Sequence, residues 1–161
     1  MKIGVISDTH DRLPTMRRAL SLFQRMKVDA IFHPGDFVAP FAAQLIAPNA
    51  LEIPVHCVYG NNDGEREGLK KVLPQVVDGP LRVEIGGKTI AMHHFIDWFK
   101  PEDLQGADIV LSGHTHEVSV TRRGNQLLLN PGECCGWVND RCTVALLDLE
   151  TLEADIIEVH E

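Results

Sequence analysis

The feature of the sequence that most constrains the fold is a repeated pattern in which a short apolar run ends in Asp, Asn or His. Five runs end this way, and the polar blocks that follow them are Asp8-Thr9-His10, Gly35-Asp36, Gly60-Asn61-Asn62-Asp63, His93-His94 and Gly113-His114-Thr115-His116. Ligands of open α/β sheets bind at the carboxyl ends of the strands, where the connecting loops leave a crevice. The pattern therefore predicts a polar site at a sheet edge.

The spacing of apolar residues predicts an α/β fold whose second half consists mostly of strands. In the first half, predicted strands at 2–6, 29–33 and 55–59 alternate with helices, which begin near Pro14 and cover 38–47 and 65–73. The second half carries two predicted hairpins, turning at Gly86-Gly87 and Gly124-Asn125, and further strands at 109–111, 144–147 and 156–159. We expect a mixed sheet, in one or two layers, between helices.

Composition limits the kinds of protein that this chain can be. Its 161 residues predict one domain, 1–161, and a formal charge of −8 argues against a general binder of nucleic-acid backbones. No stretch approaches the roughly 20 apolar residues of a membrane-spanning helix, and the N-terminus lacks the organisation of a signal peptide. We therefore expect a cytoplasmic protein with no membrane partner, in which the four cysteines are reduced thiols.

Each polar block alone has an ordinary structural explanation. Asp8 could cap the following helix, and Gly35-Asp36 and Gly60-Asn61-Asn62-Asp63 could be plain turns. Their conjunction is more specific, because it supplies Asp, Asn and His ligands without sulfur. Such a set suits divalent Mn, Fe, Ni or Zn. Seven ligands exceed the needs of one tetrahedral ion, and two ions that share a bridge form the clamp used by phosphatases and nucleases.

In their order along the chain, the five blocks resemble the calcineurin-like metallophosphoesterase family. That family carries Asp-x-His, Gly-Asp, Gly-Asn-x-Asp/Glu, a strand-end His and Gly-His-x-His. Asn130-Pro131-Gly132-Glu133 extends the resemblance to nearly the whole chain, and to the small archaeal and bacterial phosphodiesterase (YfcE-like) branch. The resemblance implies a four-layer α/β/β/α sandwich with mixed sheets, the metallo-dependent phosphatase fold.

The resemblance also implies a distribution of ligands between two ions. Asp8, His10 and His116 would hold the first ion, and Asp36 would bridge to the second, whose other ligands would be Asn61, His93 and His114. Manganese is the first expectation for the metal, with nickel, iron and zinc as alternatives. His94 follows His93, so either imidazole could be the ligand. The alignment of the motif favours His93, and leaves His94 as a spare ligand, a substrate contact or a surface residue.

The implied reaction is hydrolysis of a phosphodiester by a hydroxide that bridges the two ions. Asn61 and Asp63 are the expected catalytic residues. Asn61 would stabilise charge on the phosphoryl oxygens, and Asp63 would orient the loop. Asn61, Asn62 and His94 are the expected substrate contacts. Many members of the family carry a His where this chain has Asn62, and an imidazole there can act as a general acid. Asn62 cannot, so we expect a preference for good leaving groups.

Two other functions remain open from the sequence. A protein-interaction scaffold on the same fold, like the related retromer subunit, would have lost ligands, whereas all seven positions here keep competent side chains. A phosphomonoesterase, a nucleotidase or a nuclease of the same superfamily is the other alternative. The acidic charge argues against long polymers and favours a small phosphodiester or nucleotide-like substrate. A homodimer is the default expectation for assembly.

Overall fold

The computed structural model describes residues 1–160, in which ten strands form two five-stranded mixed sheets. The strands are β1 (Lys2–Val5), β2 (Ala30–His33), β3 (Val55–Cys57), β4 (Leu81–Ile85), β5 (Lys88–Met92), β6 (Ile109–Leu111), β7 (Val118–Arg123), β8 (Gln126–Pro131), β9 (Thr143–Asp148) and β10 (Glu153–Glu158). The helices are α1 (Leu13–Arg25), α2 (Pro40–Ala43), α3 (Arg66–Val72) and α4 (Pro101–Leu104), with 3-10 turns at Gln44–Ile46 and Ile96–Trp98.

Strand order places the predicted ligand loops along two neighbouring edges. The first sheet has the order β10-β9-β1-β2-β3, in which β1, β2 and β3 are parallel. The second has the order β4-β5-β6-β8-β7, in which β5, β6 and β8 are parallel. Parallel strands that share a sheet end on the same side, so each sheet collects the loops after its three parallel strands at one edge.

The two sheets pack face to face around an apolar core that both contribute. Ile3 and Phe32 of the first sheet belong to the same buried cluster as Met92 and Leu111 of the second. The opposite face of the first sheet is covered by α1, α2 and α3, whose buried side chains include Phe23. A smaller apolar cluster under α4 covers part of the outer face of the second sheet. The predicted four-layer α/β/β/α sandwich with mixed sheets is therefore confirmed, with a thin fourth layer.

The structure differs from the predicted elements at two places beside the site. The predicted helix over 38–47 is reduced to α2 and a 3-10 turn. Val38 has a φ of 81°, a left-handed conformation that a helix cannot include. The predicted strand 55–59 ends at Cys57. Beyond it, Val58 forms an isolated bridge with Val77, and the Tyr59 amide donates to the Val77 carbonyl.

None of the helices in the described part of the chain is both long and apolar enough to cross a membrane. The single domain over 1–161 stays a prediction, and its last residue, Glu161, lies outside the described residues.

Candidate metal centre

The loops after the parallel strands of both sheets meet in one polar cluster, which we call the cleft. It contains seven side chains: Asp8, His10, Asp36, Asn61, His94, His114 and His116. Six of these belong to the predicted ligand set, and His94 stands where His93 was expected. The contacts divide the cleft into two half-sites that share one carboxylate.

The first half-site is organised around Asp8, which is fully buried. Its Oδ1 atom lies 3.5 Å from His116 Nε2 and 3.9 Å from His10 Nε2. The other carboxylate oxygen accepts hydrogen bonds from the Ser7 hydroxyl, at 2.6 Å, and from the backbone amide of His114, at 3.1 Å. These donors fix the carboxylate so that Oδ1 faces both imidazoles. Burial raises the pKa of Asp8, and the hydrogen bond from Ser7 opposes this effect.

The second half-site is organised around the side-chain oxygen of Asn61. This Oδ1 atom lies 2.8 Å from His94 Nε2 and 2.8 Å from His114 Nδ1. The other ring nitrogen of His94, Nδ1, lies 3.0 Å from the carbonyl oxygen of Pro34, which orients the ring. His94 is fully buried, whereas Asn61 is exposed, so this half-site opens to solvent on the side of the amide.

Asp36 lies between the two half-sites and belongs to both. Its Oδ2 atom is 3.4 Å from His10 Nε2 and 3.4 Å from His94 Nε2. Asn62 donates to the same carboxylate twice, from its backbone amide at 2.8 Å and from its side-chain amide at 2.7 Å. Burial alone would raise the pKa of Asp36, but His94 and the donors of Asn62 outweigh it and hold the pKa below its usual range. Asp36 is therefore a stable anion.

The residues of the cleft fit divalent ions. His10 Nε2 is buried and has no hydrogen-bond partner among the described residues, yet it faces the carboxylates of Asp8 and Asp36. Ligands about 2.1 Å from one ion lie about 3.0–3.4 Å from one another. The separations of 3.4 and 3.5 Å between imidazole nitrogens and carboxylate oxygens match this spacing. A nitrogen and oxygen set of this kind suits hard-to-borderline divalent ions.

Unusual backbone conformations deliver most of these ligands. Five residues of the cleft that are not glycine have φ angles in the left-handed region: Asp8 (51°), His10 (38°), Asp36 (62°), His114 (69°) and His116 (62°). Such conformations cost about 1–3 kcal/mol each and persist where the surroundings impose them. Their concentration at one sheet edge is typical of a functional site.

Two glycines of the predicted motifs are required by close approach. A side chain at Gly60 would collide with the carboxylate of Asp36, and one at Gly113 would collide with Ser7 and Asp8. The Gly in Gly-Asn and in Gly-His-x-His therefore allows the strand-end loops of the two sheets to come within contact of the central carboxylates.

Asp63 supports the cleft from beneath. Its carboxylate is buried and accepts three backbone N–H groups, from Asp36 at 3.0 Å, Gly60 at 2.7 Å and Val38 at 2.8 Å. The structure therefore gives Asp63 the loop-orienting role expected for it. Its place among the catalytic residues stays a prediction, and the three backbone donors support a positioning role.

Two residues of the segment 130–133 hold the loop that carries His114 and His116. Asn130 donates from its side chain to the carbonyl of Gly113 and to the hydroxyl of Thr115. Glu133 Oε2 lies 2.8 Å from His116 Nδ1 and fixes the orientation of that ring. Burial would raise the pKa of Glu133, but the hydrogen bond with His116 and bonds from nearby amides lower it. From the sequence, this segment extends the family resemblance, but these roles of Asn130 and Glu133 are not predicted.

The structure does not bring His93, the expected ligand of the second half-site, into the cleft, and its ring contacts two aromatic side chains instead. It packs at 5.3 Å from Trp98 and 5.5 Å from Phe99, between ring centroids, and His93 Nδ1 accepts the backbone amide of His94. Side chains alternate along a strand, so His94 faces the same side as Met92 in the inter-sheet core. That alternation is a signal from which His94 could have been found. The surface reading of His94 is likewise excluded.

Sequence reasoning also missed two buried residues near the first half-site. His33, at the end of β2, stacks on Phe37 with ring centroids 3.8 Å apart and accepts the Gly35 amide at its Nδ1 atom. Cys135 Sγ groups with His10 and His116 as a third donor atom within 4.8 Å. Burial raises the pKa of this thiol, which donates to Glu133. Neither residue belongs to a recognisable motif.

Comparisons with known proteins agree with this geometry. Residues 1–152 match the family model described as the calcineurin-like phosphoesterase superfamily domain. The chain belongs to the calcineurin-like phosphoesterase superfamily. A protein of Methanocaldococcus jannaschii named as a phosphodiesterase is 38% identical to it over 161 residues, which cover 95% of this chain and 96% of that protein. The family predicted from the five blocks is confirmed.

Several solved structures share the fold of this chain. One described as an archaeal phosphodiesterase has a TM-score of 0.85 and 35% sequence identity, and covers 99% of this chain and 100% of its own. YfcE, a phosphoesterase from E. coli, has a TM-score of 0.75 at 21% identity, covering 99% of this chain and 100% of its own. Zinc-complexed Vps29 from Entamoeba histolytica has a TM-score of 0.70 at 22% identity, covering 98% of this chain and 91% of its own. The last two likenesses concern the fold alone.

The placement of the two histidines after β5 predicts different metal stoichiometries for the matched variants His94→Ala and His93→Ala. His94→Ala should lose one of two bound Mn²⁺ ions, because it removes an imidazole from the second half-site, while His93→Ala should keep both. Isothermal titration of metal-free protein with Mn²⁺ measures the stoichiometry. Loss of an ion from His93→Ala and not from His94→Ala would reverse the assignment.

The burial of His33 predicts a pH dependence of stability. Burial lowers its pKa from an ordinary 6.5 to about 3. Between these values the unfolded chain binds a proton there and the folded chain does not, so the contribution of neutral His33 is complete above pH 6.5 and falls with acidification. Asn can still accept the Gly35 amide. His33→Asn should therefore lose stability less steeply than the wild type between pH 6.5 and 4.5.

Urea unfolding of metal-free protein across this pH range measures the slopes. His160→Asn, at an exposed histidine near the C-terminus, is the matched control and should keep the wild-type slope. Parallel slopes for the wild type and His33→Asn would show that His33 is not the titrating group.

Proposed function

We propose that this protein is a phosphodiesterase that hydrolyses small phosphodiesters with two divalent metal ions. The observation that carries the proposal is the Asp36 carboxylate, whose Oδ2 atom is 3.4 Å from an imidazole of each half-site. A shared carboxylate between two sets of nitrogen and oxygen ligands is the arrangement that a two-metal phosphoesterase needs. The identity to a phosphodiesterase of M. jannaschii supports the same substrate class.

Each half-site would hold one ion. Asp8, His10 and His116 would bind the first, while Asn61, His94 and His114 would bind the second, with Asp36 shared. When bound, the ions supply an acidified water as the nucleophile and positive charge beside the phosphoryl group. Manganese is the metal we propose first, with nickel, iron and zinc as alternatives.

The residues of the chain itself contribute position and charge. Asp36, held as an anion by Asn62, fixes the separation of the half-sites. Glu133 holds the ring of His116, and the carbonyl of Pro34 holds the ring of His94. The amide of Asn61 lies at the open side of the cleft, where it can donate to a phosphoryl oxygen of the substrate. This preorganised arrangement needs little rearrangement during the reaction.

Protonation of the leaving group is the step of the reaction that receives the least help from the side chains of the cleft. Asn62 is exposed, and its side-chain amide donates to Asp36. An amide cannot deliver a proton near neutral pH, so Asn62 would contact the substrate without acting as a general acid. We therefore propose that phenols and other good leaving groups are released quickly and that alkyl esters are cleaved slowly.

The surroundings that we propose for this enzyme follow from its composition. We propose that it acts in the cytoplasm, without a membrane partner, because its cysteines are free thiols in the described chain. The charge of −8 argues against nucleic-acid polymer partners. A homodimer is proposed only as the commonest assembly. The alternative of an interaction scaffold is favoured only by the shared fold with Vps29. The complete ligand set favours the enzyme.

Removal of either central ligand should abolish the activity. Asp36→Ala separates the half-sites, and Asn61→Ala removes the oxygen that converges with two imidazoles. Each should reduce Mn²⁺-dependent hydrolysis of bis(4-nitrophenyl) phosphate by about 10³-fold or more, the scale of losing preorganised charge stabilisation. Release of 4-nitrophenol measures the rate. Asp155→Ala, an exposed carboxylate on β10, is the control, and near-full activity in either central variant would contradict the proposal.

A histidine at the position after Asn61 should broaden the range of leaving groups. Asn62→His introduces an imidazole that can donate a proton, so turnover of a diester with an alkyl leaving group should rise about tenfold or more relative to a 4-nitrophenyl ester. Asn62→Ala serves as the control, because it removes the amide without adding an acid. An unchanged ratio of the two rates in Asn62→His would show that leaving-group protonation is not limiting.

A further inference from the structure

The chain contains two tryptophans, and both are exposed beside the cleft. Trp98 is 43% exposed and Trp137 is 61% exposed. Tryptophan buries a large apolar area when it can, so an indole kept in solvent next to a reactive site is informative. The two rings lie in two different loops of the second sheet, one after β5 and one after β8.

Trp98 lies beside the second half-site. Its ring centroid is 5.7 Å from that of His94 and 6.0 Å from that of His114. Phe95, with its ring 4.4 Å from His114, adds a second aromatic side chain at the same place. His93 packs against the edge of Trp98 at 5.3 Å and supports it from behind, which gives this histidine a structural task.

Trp137 lies beside the first half-site. Its indole N–H donates to the backbone carbonyl of His10 at 3.3 Å, which ties the ring to a ligand loop. The guanidinium of Arg12 lies 4.6 Å from the ring centroid and covers one face. Arg12 in turn donates to the carbonyl of Cys135, so the stack is anchored. With 61% of Trp137 exposed, the other face remains open to solvent.

Each half-site thus has one fixed indole at its rim. A phosphodiester has two substituents on its phosphorus, and a monoester has one. Exposed tryptophans bind planar rings by stacking, with little preference among rings. We propose that Trp98 and Trp137 are specificity-determining residues that bind the two substituents of a diester when these carry planar aromatic rings, either nucleobases or aryl groups. This inference rests on the proposed phosphodiesterase function.

The reaction that follows consumes one water and releases one ring. The water oxygen forms a bond to phosphorus, the ester P–O bond to one substituent breaks, and the proton leaves with that substituent as an alcohol or phenol. The other ring stays attached to the phosphomonoester product. One tryptophan therefore contacts the leaving ring, and the other contacts the ring that is retained.

Two diesters with the same leaving group separate these roles. Bis(4-nitrophenyl) phosphate carries two rings, whereas methyl 4-nitrophenyl phosphate carries only the leaving ring. Of the variants Trp98→Ala and Trp137→Ala, one should lower kcat/KM about tenfold for the first substrate alone, and the other should lower it about tenfold for both. The change should be in KM more than in kcat, and Trp98→Phe and Trp137→Phe should keep most of the wild-type kcat/KM.

The controls distinguish the inference from the function on which it rests. Phe41→Ala removes an aromatic side chain that is 56% exposed on α2, and it should change kcat/KM for neither substrate. Hydrolysis of methyl 4-nitrophenyl phosphate by the wild type tests the phosphodiesterase activity by itself. A wild type that cleaves both diesters while neither tryptophan variant changes selectivity would overturn the inference and leave the function intact.

Two further measurements identify the kind of ring that is bound and test whether the two tryptophans are subunit contacts instead. Thymidine 5′-(4-nitrophenyl phosphate) replaces the methyl group with a nucleoside; a lower KM than the methyl ester identifies a nucleobase, and a gain confined to the bis-aryl ester identifies an aryl ring. Light scattering measures the mass of each variant. If loss of either tryptophan lowered the mass and left selectivity unchanged, the indoles would be subunit contacts and the inference would be wrong.

Discussion

The cleft depends on a buried carboxylate that is kept charged between two imidazoles. Burial of an anion is unfavourable unless donors and positive charge replace the lost water. Asp36 meets this requirement with two hydrogen bonds from Asn62 and with His94 close by, which together lower its pKa despite burial. The same oxygen faces His10, which has no hydrogen-bond partner among the described residues. A divalent ion on each side of this carboxylate would satisfy the whole arrangement.

The rest of the structure holds this unfavourable arrangement in place. Five cleft residues adopt left-handed backbone conformations, each of which costs free energy. The compensation comes from buried side chains that bond to the loop backbones, chiefly Asp63 beneath the first sheet's loops and Asn130 beneath the second's. The inter-sheet core fixes the two edges relative to each other. The stability of the core and of these hydrogen bonds therefore offsets the cost of positioning the ligands.

Much of the fold and of the cleft could be predicted from the sequence, because the ligand residues directly follow the ends of the strands in the chain. The five polar blocks sufficed for the family, the fold and six of the seven residues in the cleft. His93 was favoured over His94 from the alignment of the motif, whereas the alternation that continues beyond β5, in which Met92 and His94 share a face, brings His94 into the cleft. Residues two apart on an extended chain point the same way, but the left-handed conformations of His114 and His116 send these side chains to different half-sites. Such conformations, and the approach of Trp137 to His10, arise from tertiary contacts that local sequence does not encode.

The most direct test of the two half-sites is anomalous diffraction from a crystal of the protein soaked in Mn²⁺. The arrangement predicts two anomalous peaks, both within bonding distance of Asp36, with His94 bound to the second ion and His93 turned away toward Trp98. A single peak, or a second ion bound by His93, would contradict it.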